Sequence, residues 1–372
     1  MFIPLVDLKI QYQSLKSVIN SRVKKVMASA GFIQGDEVKN FEKNFSDYLE
    51  VKYCISVNSG TDALILGLRS LNLKPQDEVI IPANTFIATA LGATENNLKP
   101  VFVDIDPQDF GIDLTDLKNK INQRTKAVVV VHLFGQPDKI SEIKDIIKQS
   151  KQKIYLIEDA CQAHGAYYYD KRVGGEGIFS AFSFYPGKNL GAYGDGGAIV
   201  TNDKRIAEKI KLLREYGQSK KYFHETLGIN SRLDTIQAAI LNIKLTRLDH
   251  WNKQRQAAAL YYTNQIKTFF PNLLPPQKFF DRQSVYHLYV VRTKKRNQLL
   301  KFLNKNNVQA LIHYPVPLHL QKAFHYLGYK KGDLPNTEKA ASEILSLPIY
   351  PEITKKQIDY IIGKLKDFYK IC

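Results

Sequence analysis

The residues best suited to chemistry lie in one stretch of this sequence, residues 183–197. It holds a single lysine, Lys188, among small and aromatic residues, and four glycines fall within the seven positions 191–197. Glycines at this density let the backbone turn tightly and approach a ligand closely. A lysine among apolar neighbours is discouraged from carrying its charge, so its amine is a better nucleophile, suited to a Schiff base with an aldehyde. A surface lysine in a glycine-rich turn is the alternative that this stretch alone leaves open.

A second stretch, residues 154–160, is typical of a short buried strand that ends in a carboxylate, Asp159. A carboxylate at the carboxyl end of a buried parallel strand lies where open α/β sheets bind ligands. In pyridoxal phosphate enzymes an aspartate keeps the pyridine nitrogen protonated, and the ring then acts as an electron sink. Together, Lys188 and Asp159 favour a cofactor-binding lysine over a surface lysine.

The elements that must position these residues alternate between strand and helix, which predicts an α/β fold with a mostly parallel, doubly wound sheet. The predicted strands of the first part of the chain are residues 53–57, 78–81, 101–104 and 128–131. Helical periodicity begins at residue 11 and again near Asp36, which is a plausible N-cap.

A proline-rich break at residues 270–276 follows a long helix predicted at about residues 251–268. We therefore predict a large domain over residues 1–250 and a small C-terminal α+β domain over residues 251–372. The small domain is expected to contain strands at residues 285–291 and 308–312 and to close with an amphipathic helix.

The composition argues against several other classes of protein. The net charge is +17, but the basic residues are spread along all 372 positions without forming a long block, so we expect no nucleic-acid partner. The N-terminus lacks the apolar core of a signal peptide, and no run is long enough to span a bilayer. Cys54, Cys161 and Cys372 are far apart and odd in number, which argues against a disulfide framework or a metal site and indicates the cytoplasm.

Several motifs, in order along nearly the whole chain, resemble those of the DegT/StrS family of nucleotide-sugar aminotransferases. They lie at residues 32–35, 58–64, 158–165, 183–189, 230–234 and 237–239. The resemblance implies the aspartate aminotransferase-like fold and the cofactor pyridoxal 5'-phosphate (PLP), held by Lys188 and Asp159. One departure is Cys161, which stands where alanine is commoner, beside the cofactor residues without replacing one.

The predicted helix that starts at Gly60 and Thr61 would present free backbone N–H groups to the phosphate of that cofactor. This signal is weak by itself, because many α/β proteins cap helices in the same way. The resemblance adds Ser183 as a hydroxyl donor, Gln162 as the partner of the ring hydroxyl, and Phe86 as the ring that stacks on the cofactor. A lone phenylalanine is equally consistent with core packing.

The resemblance assigns Asn230 to the cofactor phosphate of a partner subunit, and so implies a homodimer with shared active sites. Residues 218–224 mix positive charge with ring surface, which suits a pyrophosphate and a flat base. The residues expected to contact substrate are Phe32, Ile33, Tyr185, Lys220, Lys221, Tyr222, His224, His313 and Tyr314. The alternatives are a plain turn at residues 32–33, a solvated loop at 218–224 and a polar strand end at 313–314.

The implied reaction is amino transfer, in which the neutral amine of Lys188 moves a proton between substrate and cofactor. Related dehydratases carry histidine at this position, so lysine favours an aminotransferase. Residues 185–197 look most like members that aminate carbon 3 of a dTDP-linked 3-keto-6-deoxyhexose, with glutamate as the donor. The product would be a dTDP-3-amino-3,6-dideoxyhexose for a polysaccharide or glycan such as the O-antigen of lipopolysaccharide.

Three other readings stay open beside this one. Within the enzyme class, the substrate is instead a UDP-linked 3-keto sugar or a carbon 4 ketone. From other classes come a regulatory protein that keeps the fold without turnover, and a basic nucleic-acid binder. The intact Lys188, Asp159 and Gln162 argue against the regulatory protein, and the scattered lysines argue against the nucleic-acid binder.

Overall fold

The computed structural model of the chain describes residues 1–371, so Cys372 lies outside the described residues. Its helices are α1 (Leu8–Ser29), α2 (Asp36–Leu49), α3 (Gly60–Ser70), α4 (Ile87–Thr94), α5 (Leu114–Lys120), α6 (Ile140–Gln149), α7 (Lys204–Leu213), α8 (Thr235–Leu245), α9 (Leu248–Phe269), α10 (Arg296–Lys305), α11 (Pro335–Glu343) and α12 (Lys355–Ile371). Its strands are β1 (Tyr53–Val57), β2 (Glu78–Pro82), β3 (Lys99–Val103), β4 (Thr125–Val131), β5 (Tyr155–Asp159), β6 (Tyr167–Tyr168), β7 (Lys171–Arg172), β8 (Phe179–Ser183), β9 (Gly197–Thr201), β10 (Gln218–Lys220), β11 (Phe223–His224), β12 (Arg282–Gln283), β13 (Tyr289–Arg292) and β14 (Ile344–Leu347).

A seven-stranded sheet in the order β1-β9-β8-β5-β4-β2-β3 forms the centre of the molecule. β9 pairs antiparallel with both β1 and β8, and the pairs from β8 to β3 are parallel. The predicted fold class, a mostly parallel sheet in an α/β protein, is therefore confirmed. The structure places the carboxyl ends of β5 and β8 next to each other, so Asp159 and Ser183 end neighbouring strands.

Helices cover both faces of this sheet, because its strands are apolar on both sides. Val79 and Ile81 of β2 belong to the core on the face of α3, α4 and α7, whereas Ile80 belongs to the core on the opposite face. The same alternation runs along β4, where all residues from 127 to 131 are buried. This two-sided core fixes the strand ends that carry the candidate site.

A separate core cluster forms in the C-terminal part of the chain, around β13, β14, α10 and α12. Tyr262 of α9 stacks on Tyr289 there, with ring centroids 4.9 Å apart. α9 crosses the predicted boundary at residue 250: Leu248 packs in the core of the sheet, and Tyr262 packs in the C-terminal cluster. Ile3 also belongs to the C-terminal cluster. The division into domains at residues 1–250 and 251–372 stays a prediction.

Several predicted element bounds were wrong, each for a local reason. Residues 285–288 do not extend β13, because the N–H groups of Val285 and Leu288 donate to the carbonyls of Gly135 and Phe134 at 3.0 and 3.2 Å. Residues 308–312 form only isolated bridges to Ile3 and to Ser346. The N-cap of α2 is Gly35 rather than Asp36, which is the first helical residue.

None of the helices within residues 1–371 combines the length and apolarity that crossing a bilayer requires.

Candidate active site

Asp159 ends β5 with its side chain buried and held at both oxygens. Its Oδ2 accepts a hydrogen bond from the hydroxyl of Thr89 at 2.7 Å, and its Oδ1 accepts one from the backbone N–H of Cys161 at 3.2 Å. Thr89 is itself fixed by Thr85, since their hydroxyl oxygens lie 2.9 Å apart. The carboxylate is thus oriented by α4, and it keeps lone pairs for a further donor.

Lys188 lies in the loop between β8 and β9, half-buried. Its backbone N–H donates to the carbonyl of Tyr185 at 2.8 Å, which closes a tight turn around it. Burial lowers the pKa of Lys188, and the neighbouring Cys161 and Asp159 oppose that shift only in part. The expected direction of this shift is confirmed. A lowered pKa favours the neutral amine, the form that can act as a nucleophile or take up a proton.

The first turn of α3 adjoins the end of β8. The hydroxyl of Ser59 caps the helix by accepting from the N–H of Asp62 at 3.1 Å. A Cβ added at Gly60 would lie 2.6 Å from the Cβ of Ser183 and 3.0 Å from the Sγ of Cys161. Only glycine fits here, and its absent side chain lets the N-terminus of an 11-residue helix approach Ser183. These N–H groups and this hydroxyl suit an anion.

Gln162, Tyr314 and Phe86 form another side of the same site. The Oε1 of Gln162 accepts from the backbone N–H of Phe134 at 2.8 Å, and its Nε2 donates to the hydroxyl of Tyr314 at 3.3 Å. The rings of Tyr314 and Phe86 have centroids 5.5 Å apart. Phe86 is 50% exposed, so it does not pack in the core, which was the alternative for this residue. Burial raises the pKa of Tyr314, with the negative charge of Asp159 adding to the shift.

Three histidines surround Lys188 in their neutral form. Burial, with the positive charge of Lys188 adding to it, lowers the pKa of His164 to about 3 and that of His313 to about 4. The same two causes lower the pKa of His287 well below its ordinary value. His313 was expected to contact substrate, and its Nδ1 lies 2.8 Å from the Oγ of Ser346. Sequence reasoning assigned no role to His164 or His287.

Asn189, the residue after Lys188, ties this loop to α9. Its Nδ2 donates to the Oδ1 of Asn252 at 2.9 Å and to the carbonyl of Val285 at 3.0 Å. Asn252 in turn donates to the carbonyl of His164 at 2.8 Å. Sequence reasoning missed Asn189, Asn252 and Thr89 as site-building residues. A polar residue on an otherwise apolar face was the available signal for Thr89.

The structure therefore brings one set of predicted residues together, and we call it the Lys188 cluster. Its members are Lys188, Asp159, Gln162, Ser183, Gly60, Thr61, Phe86, His313 and Tyr314. Tyr185 lies on the same loop as Lys188 but is 60% exposed. The role of each member stays a prediction.

The remaining predicted residues lie on an exposed surface that we call the rim, made of Phe32, Ile33, residues 218–227 and Asn230. Phe32 and Ile33 are 45% and 49% exposed, on a loop held by a hydrogen bond from the N–H of Thr235 to the carbonyl of Phe32 at 3.0 Å. Asn230 is exposed. Its neighbour Ser231 donates to Asp62 in the first turn of α3 at 2.6 Å. The loop of Asn230 is thus anchored beside the candidate phosphate site while its side chain faces outward.

β10 and β11 form a small hairpin in the rim that carries Lys220, Lys221, Tyr222 and His224. Tyr222 is 78% exposed, and the Nδ1–H of His224 donates to the carbonyl of Tyr216 at 2.9 Å. Within residues 1–371, none of the four side chains hydrogen-bonds to a member of the Lys188 cluster. All four residues are exposed to solvent.

The sequence model of the DegT/DnrJ/EryC1/StrS aminotransferase family matches residues 13–366. The chain belongs to the DegT/DnrJ/EryC1/StrS aminotransferase family. The resemblance drawn from the motifs is therefore confirmed, and so is the expectation of an enzyme, a transaminase acting on sugars.

Relatives within this family carry different names. A "Pleiotropic regulatory protein" of Geobacillus stearothermophilus is 44% identical, over 100% of this chain and 99% of its own. The dTDP-3-amino-3,6-dideoxy-alpha-D-galactopyranose transaminase of Aneurinibacillus thermoaerophilus is 44% identical, over 97% and 98%. The solved structure of Streptomyces venezuelae DesV with a ketimine intermediate has a TM-score of 0.95 at 39% identity, over 99% and 98%. Further relatives are named as aminotransferases of UDP-linked sugars.

Aminotransferases of the DegT/DnrJ/EryC1/StrS family depend on PLP, and the Lys188 cluster fits that cofactor. The cluster offers an amine, a carboxylate, an exposed ring and, at α3, N–H donors beside a hydroxyl. These groups match an aldehyde, a ring nitrogen, a flat heterocycle and a phosphate in turn. The close approach of Gly60 to Ser183, which any side chain at Gly60 would block, is the observation that makes the phosphate end fit, because it brings the first turn of α3 beside the residue that carries the hydroxyl.

Proposed function

We propose that this enzyme transfers an amino group from glutamate to carbon 3 of a dTDP-3-keto-6-deoxyhexose, giving a dTDP-3-amino-3,6-dideoxyhexose. The observation that carries the proposal is Lys188, a lysine with a lowered pKa beside the oriented carboxylate of Asp159. Support for the sugar comes from residues 185–197, which resemble members acting at carbon 3, and from the dTDP-sugar transaminase that is 44% identical.

PLP, when bound, supplies an aldehyde and a ring that withdraws electrons from the reacting carbon. In our proposal the Nζ of Lys188 would hold the cofactor and, as a free neutral amine, would move a proton from the substrate carbon to the cofactor carbon. Asp159, oriented by the hydroxyl of Thr89, would face the ring nitrogen of the bound cofactor. The histidines around Lys188 have lowered pKa values, so they carry no proton that competes at this site near neutral pH.

Substrate recognition is proposed to take place at the rim. Its lysines suit a pyrophosphate, and its aromatic rings suit a flat base. Because the hairpin and Asn230 face outward, we propose that they serve the Lys188 cluster of a second copy in a homodimer, so that each active site uses two chains. We further propose that the enzyme acts in the cytoplasm and that a polysaccharide or glycan, such as an O-antigen, receives the product.

The test is a panel of keto-sugar nucleotides with glutamate, followed by mass spectrometry of the products. We expect an aminated product from dTDP-3-keto-6-deoxyglucose or its carbon 4 epimer. A product only from UDP-linked 3-keto sugars would select the second candidate, which is favoured by the relatives that are named for UDP-sugars. A product only from a carbon 4 ketone would overturn the assignment to carbon 3. The variant Lys188→Ala is the control for a contaminating transaminase.

A further inference from the structure

Lys244 of α8 is a lysine buried without a carboxylate partner. Its side chain is fully buried, and its Nζ donates to the carbonyl of Gly191 at 2.7 Å. The same Nζ lies 4.0 Å from the ring centroid of Tyr193. Among residues 1–371 it forms no ion pair, and the carboxylate that acts on it, Glu352, does so only at longer range. An apolar residue would fill this position at a lower desolvation cost, so what the amine does there calls for an explanation.

Both contacts of Lys244 fall on the segment that follows Lys188. Gly191 folds back against the start of the same loop, since a Cβ added there would lie 2.3 Å from the carbonyl oxygen of Pro186. The N–H of Ala192 donates to the carbonyl of Phe184 at 2.7 Å. Residues 184–192 therefore form a closed loop with Lys188 near its middle. A hydrogen bond to Gly191 therefore restrains the two chain segments that meet where the loop closes.

α8 contacts this segment at a second point, two helical turns earlier. The Oε1 of Gln237 accepts from the N–H of Tyr193 at 2.8 Å, and its Nε2 donates to the carbonyl of Tyr193 at 3.3 Å. Residues seven apart lie on the same face of a helix. Gln237 thus fixes the backbone of Tyr193, and the ring of Tyr193 then faces the amine of Lys244.

We propose that Lys244 is a positioning residue for Lys188, acting by clamping Gly191 and Tyr193 so that the loop presents the amine in one place. This inference rests on the proposed role of Lys188. A positioned group contributes to rate only while its geometry is held, and a displacement of about 1 Å costs about 100-fold.

The hydrogen bond from Lys244 to Gly191 does not require that Lys244 be charged. Burial lowers the pKa of Lys244 to about 7, and the negative charge of Glu352 opposes this shift. Tyr193 and Glu352 are the other titratable groups that face it, and Arg255 faces Glu352 in turn. Either protonation state keeps an N–H for the carbonyl of Gly191. The contact with the ring of Tyr193 is stronger in the charged state.

The test is Lys244→Met, which keeps a similar volume and removes the donor. Three amides report the loop directly: Lys188, Ala192 and Tyr193, whose N–H groups are bonded in the structure. In the apoprotein we expect their hydrogen exchange to accelerate about tenfold or more, with amides of β4 and β5 unchanged. In the holoenzyme we expect kcat to fall about 10- to 100-fold, with KM for the amino donor within about twofold.

Tyr193 supplies a second variant and a matched control. Tyr193→Leu removes the ring and should reproduce part of the effect, so it tests the clamp if Lys244→Met fails to fold. Tyr193→Phe keeps the ring, and the buried hydroxyl that it removes has no hydrogen-bond partner within residues 1–371, so it should behave as the parent.

The proposal is overturned if the three amides exchange at parental rates in folded Lys244→Met, or if kcat is unchanged. It is also overturned if all amides accelerate equally, since that would be a loss of global stability alone. The exchange readout needs neither sugar nor donor, so a wrong substrate assignment leaves it standing.

Discussion

The Lys188 cluster and the rim differ in how far a single chain completes them. Asp159 and Gln162 are each 6% exposed and make two side-chain hydrogen bonds apiece, whereas Tyr222 and Phe223 of the rim are 78% and 69% exposed. Buried polar groups with their partners in place are rigid, and exposed rings on a hairpin are not. The comparison shows that one chain orders the Lys188 cluster and leaves the rim exposed, which is why we propose that the rim serves a second chain.

Removal of the Lys188 amine should have the largest effect of any change in the cluster. We expect Lys188→Ala to lower turnover at least about 10⁴-fold, because the group that anchors the cofactor and transfers the proton is lost. Steady-state rates measure this, and borohydride should fix a chromophore at Lys188 in the parent only. Lys204→Ala, an exposed lysine on α7, is the control. Full turnover by Lys188→Ala would refute the whole reading.

Neutralising the carboxylate should come next. Asp159→Asn keeps the shape of the side chain, and its amide can still bond to Thr89, so the fold should survive. We expect kcat to fall about 10²- to 10³-fold, the scale of losing one electrostatic stabiliser. Thr89→Val should give a smaller loss in the same direction, because the carboxyl group of Asp159 is kept but loses one hydrogen-bond donor that orients it. A Thr89→Val loss larger than that of Asp159→Asn would contradict this order.

His164, buried near Lys188, should also make stability depend on pH in acid, within one chain and without substrate. The pKa of His164 is about 3 in the folded protein and 6.5 in its reference state, so the unfolded chain binds more protons between these values. Stability therefore rises with pH through this window and is lost as the pH falls below 6.5. At pH 5 the unfolding constant of the apoprotein should gain about 30-fold from His164 alone. Urea unfolding of His164→Phe should show a pH dependence weaker by about that factor.

The rim should give the smallest effect, and a distinctive one. Asn230→Ala should weaken PLP retention about tenfold, the worth of one charge-assisted hydrogen bond. At a PLP concentration that leaves Asn230→Ala largely empty, mixing it with Lys188→Ala should restore activity, because each mixed dimer holds one site with both residues; after equal mixing these are about one quarter of all sites. Subunit exchange followed by an activity assay measures this. No restoration would mean that Asn230 serves its own chain, and the contrast between cluster and rim would lose its explanation.

Much of the site could be predicted because its members end strands or start helices. Strand β1 begins and ends where the pattern of residues 53–57 predicts, and Asp159 ends β5 as expected. Gly60 opens α3 as the helix-start signal predicts, whereas the pairing of that helix start with Ser183 was expected only from the family resemblance.

What could not be predicted depends on contacts distant in the sequence. Thr89 matters because its hydroxyl donates a hydrogen bond to Asp159, 70 residues later, and no local sequence pattern indicates that contact. Lys244 follows Ile240 and Ile243 on α8, and in the sequence a lysine at that place suggests a solvated side chain. Residues 285–288 have strand-like composition, but the chain bonds to residues 134–135 instead of to a strand.

The unbroken helix α9 bears on how this protein can be cut. Its 22 residues begin with Leu248 in the sheet core, pass Asn252 beside the Lys188 loop, and include Ile266 in the C-terminal cluster. Cleavage of the chain at residue 250 would break α9 between the sheet core and the C-terminal cluster. It would also place Asn189 and its hydrogen-bond partner Asn252 on different fragments. Fragments divided there should fail to act alone, and reassembly would have to rebuild that helix before any catalysis returned.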